Sequence, residues 1–337
     1  MQLKYLLTLV RMPKFFSLLR IMQDWRAFIR MHFIYAALDT GLLDALDRPR
    51  SRDELIRALE VKRTDILDAL LDIGLATEEL AQRNGKYRIR GRRSRSVVGG
   101  DGDTLAAVIQ ANVTYYNAVY REAAARLRGA PSGDHLGHIG ELVARFSKLG
   151  EPLIERFIAD TVRDRPRMRI LDLGCGSGVH LRNARNANTN AVGVGIDMDE
   201  HVVRQARENM QEWGLGSEFK ILQGDIRNPS EDLDGPFDLI TMYNLLYYFP
   251  IEDRPTLFRS LKQRLSETGV LAIFNNMHGR GRDPFAANLN LATTSFTGCT
   301  PLPDEDETRQ QLEQSGFTKI TVTKLIPGRA FCGILSR

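Results

Sequence analysis

Cysteine is scarce in this chain. Cys175, Cys299 and Cys332 are its three, far apart and without a C-x-x-C pair. That argues against a disulfide framework and a structural zinc site, and it fits a reducing, cytoplasmic setting. Long apolar runs are missing too. In the N-terminal segment Leu6, Leu7, Val10, Phe15, Leu18, Leu19 and Met22 are interrupted by Lys4, Arg11, Lys14 and Arg20. Nothing approaches the roughly 20 residues that cross a bilayer, and no small-residue cleavage site follows. The segment reads as a helix packed on a partner subunit, in preference to one lying on a membrane surface. An excess of one charge sign is also lacking. Lys and Arg number 46 against 42 Asp and Glu, a formal +4, which hints at acidic ligands without implying nucleic acid.

What is present is apolar content enough for two cores: 337 residues, 43% of them hydrophobic. The pattern changes partway along. Up to about residue 165 it is helical, with Leu42, Leu43, Leu46, then Leu55, Ile56, Leu59, then Ile66, Leu67, Leu70 and Leu71 three and four apart. Ser51 stands three before Glu54, the capping-box spacing that starts a helix. Asn84-Gly85 predicts a turn, with Tyr87 and Ile89 on one side of a short strand. Three short helices and a hairpin outline a winged helix. Longer helices are expected around Thr104–Leu127 and Glu141–Val162, separated by the loop 129–140.

From Met168 short apolar runs alternate with helical patterns. Arg169–Leu173, Ala191–Ile196, Phe219–Leu222, Phe237–Met242 and Val270–Phe274 read as strands of a parallel sheet covered on both faces. Helices lie between them, as at Glu200–Trp213 and Arg254–Leu265. Lys319–Leu325, Pro327-Gly328 and Ala330–Leu335 read as a closing antiparallel pair. The domains expected are 1–150, helical and winged-helix-like, and 151–337, α/β.

The first of these strands, Ile170-Leu171-Asp172-Leu173, runs into Gly174-Cys175-Gly176-Ser177-Gly178 and then a helix. A glycine loop at the C-terminal end of a strand is where open α/β sheets bind nucleotides. Val179 stands where a dinucleotide fingerprint wants its third glycine, and there is no Walker lysine. Asp197 ends the next strand in Gly195-Ile196-Asp197, placed to accept from both ribose hydroxyls. Asp225 follows the third in Gly224-Asp225-Ile226, placed to accept from an adenine amino group while Ile226 packs on the ring. Either acid alone reads equally well as a solvated strand end. Their joint arrival with the glycine loop at successive strand ends does not.

The stretch from Arg169 to Gly269 resembles the core of class I S-adenosylmethionine methyltransferases, whose loop runs acid-x-Gly-x-Gly-x-Gly; here Asp172, Gly174, Gly176 and Gly178. The resemblance implies a Rossmann-like, seven-stranded α/β core with a reversed seventh strand, and S-adenosyl-L-methionine as cofactor. It also implies that Asp197, with Met198 beside it, lies at the ribose, that Asp225 and Ile226 frame the adenine, and that Tyr243-Asn244 flank the methionine portion. With the winged-helix pattern ahead of it, the chain resembles the small-molecule O-methyltransferases that include plant phenolic and acetylserotonin enzymes. In those the N-terminal module dimerises and helps enclose substrate. The organisation and tyrosines also resemble the S-methyltransferases of dimethylsulfoniopropionate synthesis, though no motif identifies that subgroup uniquely.

One departure bears on the reaction. The O-methyltransferases carry a histidine base after the fourth strand, in a Leu-His-Asp-Trp run. Here the stretch is Leu246-Tyr247-Tyr248-Phe249, with Tyr247 at the histidine's position. A tyrosine of ordinary pKa, about 10, is a poor base at neutral pH but can orient a substrate. A thioether or an unprotonated amine needs no base, only positioning. The expectation is therefore a small-molecule methyl acceptor, leaning to sulfur. The alternatives are O- or N-methylation, a cofactor-binding regulator without catalysis, and a silent homologue. Tyr115, Tyr116 and Tyr120 on the long helix, with Tyr243, Tyr247 and Tyr248, are candidates to hold a cationic group; ordinary packing is the competing reading. Asn275 and His278 follow the fifth strand in a substrate-facing position. Arg280 and Arg282 are candidate carboxylate clamps, with solvated loop arginines the commoner reading, and His135 and His138 sit in a glycine-bearing loop suited to covering a pocket.

A basic run, Arg83, Lys86, Arg88, Arg90, Arg92, Arg93 and Arg95, coincides with the wing. In a DNA-binding module it would be a phosphate strip. Asp65, Asp68 and Asp72 on the preceding helix would repel phosphate, so a homodimerisation module is preferred to a nucleic-acid reader.

Overall fold

A computed structural model describes residues 8–133, 140–163, 165–166, 168–227, 233 and 235–337. The loop histidines His135 and His138 and the first seven residues lie outside the described set. By packing, the chain groups into two units: Met1–Tyr120 with Ile139–Leu149, and Arg121–His138 with Gly150–Arg337.

The first unit is helical. Its helices include α1 (Phe15–Asp39), α2 (Leu42–Ala45), α3 (Arg52–Ala58) and α4 (Thr64–Ala76). They gather around Phe33, Ile34, Leu42, Leu43, Leu55 and Leu71, the residues whose three- and four-residue spacing marks one buried face. Ser51 caps α3 with the capping box its spacing predicts. A three-stranded sheet follows, β1 (Arg50–Ser51), β2 (Leu80–Arg83) and β3 (Lys86–Ile89), in the order β1-β3-β2. Asn84 and Gly85 both take positive φ, 51° and 71°, as a two-residue hairpin of this kind requires. Buried Glu79 ties the wing down, accepting from the Ser94 hydroxyl at 2.8 Å and pairing with Arg30 at 3.4 Å.

Four further helices run on from the wing: α5 (Arg92–Ser96), α6 (Asp103–Ala111), α7 (Asn117–Arg126) and α8 (Gly140–Ser147), with a π turn, Asn112–Tyr116, between α6 and α7. Arg145 on α8 forks onto Asp103 of α6 at 2.6 Å.

The second unit holds a seven-stranded sheet. Its strands are β4 (Met168–Leu173), β5 (Ala191–Asp197), β6 (Phe219–Gln223), β7 (Phe237–Tyr243), β8 (Leu265–Asn276), β9 (Ile320–Lys324) and β10 (Phe331–Ser336). The order is β6-β5-β4-β7-β8-β10-β9, with β10 antiparallel to both neighbours and the other pairings parallel. The seven strands and the reversed last strand are those that the resemblance implies. Side chains alternate along β8: Val270, Ala272 and Phe274 enter one apolar cluster, Leu271 and Ile273 the other. Both faces are thus covered, which is why the strands read as continuous apolar runs. Helices α9 (Glu151–Val162), α10 (Val179–Ala187), α11 (Glu200–Glu212), α12 (Arg254–Arg264), α13 (Pro284–Thr294) and α14 (Glu305–Gln314) complete the unit. Fully buried Phe258 of α12 illustrates the packing, each such side chain contributing about 1.5–3 kcal/mol.

No described helix is long and apolar enough to cross a membrane.

Candidate active site

The parallel strands end together at one edge of the sheet, and the loops there carry the chemistry. After β4 the chain turns through Gly174, Gly176 and Gly178, at φ +63°, +54° and +80°. Such angles favour glycine. A Cβ on Gly178 would lie 2.4 Å from the Met210 methyl, whereas one on Gly176 would meet nothing within 4 Å. The loop therefore packs tightly at its end and faces open space at its middle.

Asp197 at the end of β5 accepts from the Gly176 N–H at 3.0 Å through Oδ2 and from the Asp199 N–H at 3.2 Å through Oδ1. Each oxygen keeps a lone pair, so a half-buried carboxylate is held with two free acceptor positions. Met198 beside it is exposed.

Asp172 is fully buried on β4. Its Oδ1 accepts from the Thr241 hydroxyl at 2.6 Å, and its Oδ2 has no hydrogen-bond partner. Burial pushes its carboxyl up to about 7, the Thr241 bond opposing and the Asp197 charge adding to the rise. An orphaned buried carboxylate oxygen is costly unless a ligand or water meets it.

Tyr243 ends β7, where burial raises its hydroxyl well above the ordinary value. Its ring meets His180 edge-on at 4.4 Å, and burial holds that imidazole down to about 4, so it is neutral. Asn244 follows at φ +51°, a left-handed conformation that asparagine tolerates. Its N–H donates to Phe274 O at 2.7 Å, and its Oδ1 accepts from the backbone and side-chain nitrogens of Asn276, each at 3.3 Å. Asn275 is buried and accepts from the Leu246 N–H at 3.4 Å. The asparagines at the end of β8 thereby clip the turn that follows β7.

That turn, Leu246–Tyr248, bears Tyr247 and Tyr248, their rings 4.7 Å apart. Burial pushes the Tyr248 hydroxyl up to about 12, against a hydrogen bond with Tyr247 that lowers it. The turn has a brace that sequence reasoning missed. Thr300 donates its N–H to Tyr247 O at 2.7 Å, and fully buried Arg254 reaches both Thr300 Oγ1 at 2.9 Å and Phe249 O at 3.3 Å. The signal was present: Arg254, Leu257, Phe258 and Leu261 share the spacing of one buried helix face.

Asp225 is engaged by Arg227, whose Nε lies 2.9 Å from Oδ1 and Nη2 2.7 Å from Oδ2. Its neighbour Ile226 packs against the sheet's core. The carboxylate-clamp reading of Arg280 is corrected: its guanidinium is spent on Asp304 and Asp306. Arg280 and Arg282 border a cavity of about 450 Å³ with Met277, Asp283, Lys324 and Ala330. His278 is half-buried, its N–H on Pro303 O at 2.9 Å. In the first unit Tyr115 and Tyr116 are buried with rings 4.6 Å apart, while Tyr120 is exposed. The cysteines are all free, and no metal-binding cluster occurs among the described residues.

Comparison with known proteins agrees with this geometry. Residues 170–269 match the family model of a methyltransferase domain. Indolepyruvate C-methyltransferase of Streptomyces griseus is 25% identical over 253 residues, 74% of each chain. Matches to the first curated relatives span from 42% to 74% of those proteins' length. Among solved structures, mitomycin 7-O-methyltransferase superposes with TM-score 0.78 at 16% identity, covering 95% of this chain and 96% of that one. Human N-acetylserotonin methyltransferase in complex with SAM gives 0.69 at 16% identity, covering 94% of this chain and 96% of that one. The fold is that of the class I methyltransferases with an N-terminal helical domain.

Proposed function

We propose that this protein transfers a methyl group from S-adenosylmethionine to a small-molecule acceptor. The observation that carries the reading is the joint at Gly176 and Asp197: a left-handed glycine loop facing open space, hydrogen-bonded to a carboxylate with two free acceptor positions. The residues suit this cofactor. Asp197 offers acceptors to vicinal ribose hydroxyls. The orphaned Asp172 Oδ2 suits a cationic amino-acid end. The N-cap of α10, Gly178, supplies no side-chain acceptor, so the first-turn N–H groups are available to a carboxylate. Asp225 and Ile226 serve the adenine once Arg227 shares or yields its carboxylate.

The cofactor supplies an activated methyl on a sulfonium, and the chain's residues provide orientation. Neutral His180 and the raised Tyr243 hydroxyl add no charge beside the loop. Tyr247, in place of a histidine, orients the acceptor through its hydroxyl rather than taking its proton. This favours acceptors that need no base, a thioether, a thiol that ionises easily or an amine, over an alcohol. O-methylation is the second reading, and the names of the structural neighbours favour it. A second copy covers the apolar side of α1, where Ile21, Trp25 and Phe28 stand 62%, 53% and 54% exposed.

The test is a screen of purified protein and S-adenosylmethionine against thiols, thioethers, amines and phenols, read by mass spectrometry. A 14-dalton gain is expected on a sulfur or nitrogen acceptor. A gain confined to alcohols and phenols overturns the base-free reading.

A further inference from the structure

Arg254 is a charged side chain with no exposed surface, at the first position of α12. Its Nη1 has no hydrogen-bond partner, and the nearest carboxylate, Glu307, is 3.9 Å away. Burial lowers its pKa, Glu307 and Glu252 opposing. Burying a guanidinium so incompletely paired is unfavourable for folding, and a hydrophobic residue at this helix position would serve the core better.

What the guanidinium holds is specific. Nε donates to Phe249 O at 3.3 Å, and Nη2 donates to Thr300 Oγ1 at 2.9 Å. Thr300 in turn grips Tyr247 O with its N–H at 2.7 Å and its hydroxyl at 3.1 Å. Two carbonyls of the short tyrosine turn are thus fixed from behind by one arginine and one threonine. On its other side Asn275 fixes the Leu246 N–H.

We propose that Arg254 and Thr300 are positioning residues for Tyr247: a buried two-residue brace that sets where the Tyr247 side chain stands in the acceptor site. This rests on the reading of Tyr247 as the acceptor-orienting residue. Arg254 touches no reacting atom; it acts through the backbone of the turn.

The test uses the full-length protein with Arg254→Met, Thr300→Val and, as the conservative control, Thr300→Ser. Thr300→Val is isosteric and loses the hydroxyl alone, so it decides the matter should Arg254→Met not fold. Three quantities are read: S-adenosylhomocysteine affinity by calorimetry, amide exchange of the Leu245–Pro250 peptide, and kcat and KM with the acceptor found in the screen. The expected result is amide exchange and kcat changed by about tenfold or more in the Met and Val variants, faster and slower respectively. S-adenosylhomocysteine affinity stays within about threefold, and Thr300→Ser behaves as native. Unchanged exchange of that peptide in both variants overturns the brace, and so does a loss spread equally over cofactor affinity and turnover. A native protein that binds no S-adenosylhomocysteine defeats the functional reading instead, and the exchange result is read independently of it.

Discussion

The Gly176 N–H donates to Asp197 Oδ2 at 3.0 Å, joining the loop after β4 to the end of β5. One contact thus sets the loop's height against the carboxylate proposed to meet a ribose. It also makes the loop sensitive to substitution. Gly176→Ala puts a Cβ on a residue at φ +54° and into the open space above it. A stability loss of about 1 kcal/mol is expected from the backbone alone. Calorimetry should show S-adenosylhomocysteine affinity reduced well beyond tenfold, because the added methyl also occupies ligand space.

Asp172 gives a pH signature. Its carboxyl is raised to about 7 in the folded state by burial, against an ordinary value of about 4 unfolded. The native state therefore binds more protons than the unfolded state between those values. Stability from this group falls as pH rises through that window and levels above about 7. Asp172→Asn removes the dependence. Thermal melts should show the variant gaining on the native protein from pH 5 to pH 8, while losing cofactor affinity at both. A variant whose deficit grows with pH would contradict the assignment.

Tyr247→Phe separates positioning from proton abstraction. With a sulfur or amine acceptor, kcat should fall by about tenfold and its pH profile should keep its shape. A loss of about 10⁴-fold, recovered by raising the pH with an added base, would instead mean that a proton is being taken.

The apolar side of α1 predicts an association. Trp25→Glu with Phe28→Asp should convert a dimer to a monomer in sedimentation velocity while leaving S-adenosylhomocysteine binding in place. A native protein that sediments as a monomer at micromolar concentration would overturn it.

The core strands were legible because both faces of the sheet are buried, so Arg169–Leu173 and Phe237–Met242 read as apolar runs. The Asn84-Gly85 turn and the Ser51 cap were equally open, since local chemistry decides both. The start of β8 was not. Leu265 reads as the end of a helix and Ser266-Glu267-Thr268-Gly269 stands ahead of the strand expected at Val270, yet the stretch joins the sheet through Leu265 opposite Phe237 and a Ser266 hydroxyl bond to Asp238 at 3.0 Å. Asp172, Asp197 and Asp225 could be placed at or beside the ends of β4, β5 and β6 because strand ends are predictable. Their partners could not: Thr241 on Asp172 and Arg227 on Asp225 depend on register and rotamer. Arg280 and Arg282 looked alike in sequence, yet Asp304 and Asp306 are brought to Arg280 by the N-terminus of α14, more than twenty residues on. The packing of 121–133 with the second unit likewise leaves no local trace.

The most direct test of the central claim is titration calorimetry of the native protein and Asp197→Ala with S-adenosylhomocysteine. The account predicts saturable one-site binding to the native protein and at least a hundredfold loss in the variant, since the two ribose acceptors vanish together. Native protein that takes up no ligand, or a variant that binds as tightly as the native, would contradict it.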